Sequence, residues 1–188
     1  VVQNTPAVAH AFLSMHQALR RAGERLAELD DTLERTGAQA DPTPYEEVRD
    51  FFHYMDNYVD WLDRAAEDLA GQIDSGRADR TRALAGFIEA QHGIRVVIGG
   101  EASRPGALRR YDRHARVLSL NPRSSAATHA FQIAHQLALT AHSDAIGEIV
   151  RKADFHSKDA EAVCRIGLAN YFAGAAVLPY AAFLEAAR

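Results

Sequence analysis

Phe131-Gln132-Ile133-Ala134-His135-Gln136-Leu137-Ala138-Leu139 decides how this chain is read. The stretch is apolar nearly all round and free of Gly and Pro. It sits inside residues 124–142, which read as one helix. Immediately before it, residues 107–111 and 115–120 alternate apolar and polar side chains as paired strands do, with Asp112–His114 as their turn. Asn121-Pro122 ends the second strand, and the β-branched run Ile94-Arg95-Val96-Val97-Ile98 reads as a further strand. Beyond it, residues 144–153 and 157–178 are helical, Pro179 breaks the pattern, and a last helix follows. A small sheet followed by helices gives an α+β domain over residues 93–188.

The N-terminal half is helical throughout. Val8, Phe12, Met15, Leu19, Ala22, Leu26, Leu29 and Leu33 step by four and three, a heptad seam that predicts one helix over residues 1–37. Gly37 to Pro44 is a breaker. Thr43, Pro44 and Glu46 then form the signature of a capped helix start. Val48, Phe52, Met55, Val59, Leu62, Ala66, Leu69 and Ile73 repeat the seam, so a second long helix is expected as the partner of the first in an antiparallel hairpin. Each seam would run about 38 Å. Phe51, Tyr54, Tyr58 and Trp61 add an aromatic stripe that one partner helix cannot also cover. It must meet the C-terminal half, another subunit or a ligand. A third helix over residues 77–91 ends at Gly93. The fold expected is therefore α+β and mostly α. A helical region, residues 1–92, acts as linker and dimerisation element. A small antiparallel sheet with its helices follows, residues 93–188.

Composition narrows the function. With 47% hydrophobic and 24% charged residues the chain is globular rather than disordered. No apolar run approaches the roughly 20 residues that span a bilayer, and no signal peptide opens the sequence, so no membrane role and a cytoplasmic location are expected. The lone Cys164 excludes an internal disulfide and reads as a buried apolar side chain. A start at Val1-Val2 and an end within a helical pattern point to a piece of a longer protein. Residues 1–92 hold 9 Arg against 17 Asp and Glu, which argues against DNA binding by this segment. Residues 95–123 hold seven Arg against Glu101 and Asp112. That window suits a small polyanion as well as it suits a solvated hairpin.

The chemistry of the central helix is tested against zinc hydrolysis. Such enzymes set two His at i and i+4 with a Glu after the first, and take a third ligand from a later helix. The helix of residues 131–139 resembles the F-x-x-A-H-E-x-x-H helix of the ImmA/IrrE metallopeptidases. Leu168-Ala169-Asn170-Tyr171-Phe172-Ala173 to Leu178-Pro179 resembles their E-A-N-x-F-A … M-P segment. Carried over one residue at a time, the first ligand position holds His135, the general base position holds Gln136, and the remaining ligand positions hold Leu139 and Leu168. One ligand of three remains and the base is an amide, so neither zinc nor peptidase catalysis is expected. His142 stands two turns from His135, about 10 Å along the helix, and His129 points elsewhere. His135 therefore reads as a core histidine.

Taken together, Tyr45-Glu46-Glu47-Val48-Arg49-Asp50-Phe51-Phe52, the hairpin, the Ala134-His135-Gln136-Leu137-Ala138-Leu139 run and Ala169-Asn170-Tyr171-Phe172-Ala173 resemble the short-chain fatty acyl transcriptional regulators, the group of propionate and acetate metabolism regulators. The resemblance implies an Xre-type helix-turn-helix before this region, through which DNA is bound. It also implies a cysteine-bearing region after it, linked to an iron–sulfur cluster. For this region it implies an effector site for short-chain acyl-CoA, with no cofactor of its own; a homodimer is expected from the two regular heptad seams. Arg109, Arg110, Arg113, Arg116 and Arg123 are candidates for the CoA phosphates, although Arg109 and Arg110 face opposite sides of a strand. Tyr111, His135, Leu139, Leu168, Tyr171 and Phe172 are candidates for lining the acyl end. The alternative is a dimerisation scaffold that binds no ligand.

Overall fold

A computed structural model describes residues 42–73, 79–100 and 107–178. The chain divides into two compact units, Val1–Pro42 and Thr43–Arg188, and the description concerns the second. The helix expected over residues 1–37, and with it the hairpin, lies outside the described residues, as does the helix after Pro179.

Helix α1, Pro44–Tyr54, starts as its sequence demands. The Thr43 hydroxyl accepts from the Glu46 amide, while Glu46 Oε2 accepts from the Thr43 amide at 2.7 Å. The expected continuous helix to Ile73 does not form. The chain leaves the helix after Tyr54, passes through left-handed Asp56 (φ 51°) and Asn57 (φ 55°), and restarts as α2, Asp60–Ile73. Asp and Asn tolerate that conformation better than other non-glycine residues, so two helices can break without a Gly or Pro. The seam survives the break: Val48, Val59, Leu62, Ala66 and Leu69 are all buried.

Helix α3, Arg80–His92, is N-capped by Asp79 and ends at Gly93 with φ 59°. Strands β1 (Arg95–Ile98), β2 (Arg109–Asp112) and β3 (Val117–Leu120) follow. They form a sheet of order β1-β3-β2 in which β2 and β3 are an antiparallel hairpin and β1 lies parallel to β3, from Arg95 opposite Val117 to Ile98 opposite Leu120. The sheet is thus mixed, which corrects the antiparallel expectation. Strand β1 pairs with the third strand, which runs in its own direction, and not with β2.

Helices α4 (Ala126–Ala141), α5 (Ser143–Ala153) and α6 (Lys158–Val177) complete the described domain. From Ile133 to Ala138 every residue of α4 is buried. It packs on α3, on α6 and on β3, whose Leu118 and Leu120 are fully enclosed. Helix α6 buries Cys164, Leu168, Ala169, Phe172, Ala173 and Ala176, and its small residues let neighbouring helices approach closely. Phe172 alone removes enough apolar surface to stabilise the fold by about 1.5–3 kcal/mol. Among the described residues, no helix is long and apolar enough to cross a membrane.

Candidate functional site

Helix α4 is fixed to the hairpin at its N-terminal end. Ser125 caps it through the Thr128 amide, His129 Nε2 lies 2.8 Å from the Asn121 carbonyl oxygen, and Asn121 Nδ2 donates to the Ala107 carbonyl at 2.7 Å. Buried His129 is thereby a structural tie. About two turns on, His135 and Gln136 are each 5% exposed.

Arg109, inward on β2, donates from Nη1 to Gln136 Oε1 at 2.6 Å. Gln136 Nε2 donates in turn to Thr140 Oγ1 at 3.1 Å, and that hydroxyl donates to the Gln136 carbonyl. Burial holds the Arg109 guanidinium below its ordinary pKa. His135 Nδ1 has no hydrogen-bond partner among the described residues. Burial, and secondarily the Arg109 charge, push the imidazole down to about 4, so it is neutral at physiological pH. Leu168 is fully enclosed and Leu139 is half-buried against the core. At the four positions that the sequence resemblance aligns with ligands and base, this chain holds one neutral imidazole, an amide bonded to an arginine, and two leucines. Among the described residues no three His, Cys, Asp or Glu side chains are grouped to hold a metal.

The other expected ligand residues are dispersed. Arg110 is exposed beside Asp112 and Ser119, on the sheet face opposite Arg109. Arg113 lies exposed in the hairpin turn. Arg116, at φ 52°, bonds the carbonyl oxygens of His92 and Gly93 and so closes the C-terminus of α3. Arg123 is exposed, its amide donating to Asn121 Oδ1. Tyr111 packs half-buried on the core. Tyr171 donates its hydroxyl to Asp63 and accepts from the Val59 amide, and Phe172 is enclosed core. Cys164 is buried, its thiol pushed up to about 12 by burial, which leaves it inert as a nucleophile.

A different face of α4 borders open space. Between α2, α3 and the C-terminal end of α4 lies a cleft of about 270 Å³, floored by Leu69, Phe87 and Leu137. Asp68, Gln72, His92 and His142 supply its polar groups. The sequence offered no signal for it, because its walls come from three helices more than seventy residues apart at the extremes.

Residues 89–188 match the family described as the IrrE N-terminal-like domain. Over its whole length the chain is 43% identical to the "Propionyl-CoA carboxylase regulator" of Cereibacter sphaeroides. Over 99% of its length it is 41% identical to the "HTH-type transcriptional regulator PrpR" of Mycobacterium tuberculosis, and it is 33% identical to the regulator RamB of the same species. It spans about two fifths of the length of each, between 38% and 40%. A solved structure titled "Mycobacterium tuberculosis transcriptional regulator" superposes with a TM-score of 0.73 at 44% identity, covering 78% of this chain and 44% of that one. The family match over residues 89–188 and the likeness to these regulators along the full length of the chain lead to one conclusion: the chain belongs to the IrrE N-terminal-like domain family, in the company of the short-chain acyl transcriptional regulators.

Proposed function

We propose that this chain is the effector-binding domain of a transcription regulator, that its effector is a short-chain acyl-CoA, and that it has no peptidase activity. The observation that carries the reading is the Arg109–Gln136 bond at the place where a peptidase keeps its general base. An amide locked to a guanidinium takes no proton from water, and Leu139 and Leu168 offer no electron pair to zinc. The open cleft on the other face of α4 and the Arg109 guanidinium bonded to Gln136 support a binding role for this helix. The name of the Cereibacter relative, a regulator of propionyl-CoA carboxylase, supports a small acyl thioester as the signal. DNA contact and any iron–sulfur cluster would belong to other regions of the whole regulator.

Titration calorimetry with free CoA and with acetyl-, propionyl-, butyryl- and palmitoyl-CoA tests the proposal. Saturable binding strongest for one short chain is expected. Absence of heat with every one of them would sink it. A dimerisation role is the second reading, favoured by Tyr54 at 89% and Trp61 at 44% exposure on neighbouring helices. Light scattering decides that point, since a dimer has twice the 20.6 kDa of the chain.

A further inference from the structure

The peptidase-like centre is filled by protein. His135, Gln136, Leu168 and Phe172 are buried, and the Arg109 guanidinium is already engaged. A ligand entering there would have to displace core side chains. The cleft on the other face of α4 has space, an apolar floor and convergent polar groups.

Its polar groups select against phosphate. The Asp68 carboxylate repels an anion, and both imidazoles are held below their ordinary pKa, chiefly by burial, to which the Arg116 charge adds at His92. Each therefore offers one donor and one acceptor at neutral pH, and Gln72 adds an amide. That set matches uncharged amide and carbonyl groups. His142 is held in place from two sides, with the Trp61 ring edge-on at 5.2 Å and the Phe172 ring at 4.9 Å. A volume near 270 Å³ falls at the small end of ligand pockets, about 300–1,000 Å³, enough for a short acyl group and part of its arm but not for a nucleotide as well. Outside the cleft, Arg116 brings its guanidinium to the end of α3, beside His92.

We propose that the cleft between α2, α3 and α4, and not the peptidase-like centre, receives the uncharged acyl-pantetheine end of the ligand, with His92 and His142 bonding its amide or thioester oxygens. This rests on the acyl-CoA reading above and assigns a site to it. The phosphates remain outside, on the side where Arg116 lies beside His92.

The test uses the whole 188-residue chain with propionyl-CoA and with propionyl-pantetheine, which lacks the nucleotide. Ala141 lines the rim and is exposed, so Ala141→Trp blocks the cleft without entering the core. The expected result is that Ala141→Trp weakens both ligands by about tenfold or more. In the unaltered chain, titration with either ligand is expected to move the ring carbon resonances of His92 and His142. Should Ala141→Trp melt lower than the parent, Ala65→Trp on the facing wall and the histidine resonances decide instead. Propionyl-CoA binding that Ala141→Trp changes by less than about twofold, with both histidines unmoved, overturns this site and leaves the acyl-CoA reading standing. Failure of the parent chain to bind either ligand overturns both.

Discussion

Arg109 and Gln136 are 27 positions apart in sequence and meet at 2.6 Å, joining β2 to the middle of α4. The guanidinium is part-buried and the amide nearly fully so, which makes the bond costly to break from one side only.

Gln136→Leu should therefore lower stability by about 1.5–3 kcal/mol, the range for a hydrogen bond to a charged group that is left without its partner. Arg109→Met combined with Gln136→Leu should recover most of the loss, because neither polar group then remains to be satisfied. Urea unfolding of the two singles and the double measures the coupling. Strict additivity would mean that the contact contributes nothing.

Gly167 is the second place where one atom decides. A Cβ there would stand 2.9 Å from Cε2 of Phe52, between α6 and α1. Ala is about 1 kcal/mol better than Gly in a helix, whereas overpacking costs about 1–3 kcal/mol. The clash should win, so Gly167→Ala is expected to lower the melting temperature, and Phe52→Leu in the same chain to restore it. A rise in melting temperature for Gly167→Ala alone would refute the packing argument.

His135 gives a pH dependence of definite sign. Its folded pKa, about 4, lies below the ordinary imidazole value of 6.5, so the unfolded chain binds the proton more tightly. The stability linked to this group is complete above pH 6.5 and is lost as the pH falls towards 4. At about 1.4 kcal/mol per unit, the contribution is on the order of 3 kcal/mol. His92 and His142 are shifted in the same direction. His135→Leu should flatten the curve between those two pH values, as followed by denaturation at several pH values. An unchanged slope would show that this imidazole is not buried neutral.

Zinc should not act as a ligand of the central helix. Equimolar Zn²⁺ is expected to leave the melting temperature of the chain unaltered, since one imidazole cannot close a tetrahedral site. Melting scans with and without the metal, followed by metal analysis of the dialysed protein, check this. A stoichiometric, stabilising zinc would reopen the hydrolase reading.

Local signals in the sequence translated well into structure. The Thr43-Glu46 cap, the left-handed Gly93, the β2–β3 hairpin and the enclosed α4 all follow from side-chain chemistry within a few residues. The break at Asp56-Asn57 did not, because the apolar seam keeps step across it and neither residue is a strict helix breaker. The hydrophobic pattern reports which side chains are buried, and these are buried whether or not the backbone between them is helical. At the site, the replaced ligand positions were legible as single letters. The fates of the arginines were not: whether a strand arginine meets an amide, a helix end or solvent depends on tertiary placement, which spacing does not encode.

The sheet order β1-β3-β2 bears on how the chain acquires its structure over time. Strand β1 has β3 as its partner, and β3 is the last of the three to leave the ribosome. Until residues 117–120 emerge and fold back on β2, the β-branched run from Arg95 to Ile98 has its backbone amides unanswered. The hairpin can close within microseconds by local contacts, whereas β1 must wait and then dock across the intervening chain. Synthesis paused before Val117 would thus expose a sticky strand, and the vulnerable moment of this domain falls in mid-translation rather than in its finished state.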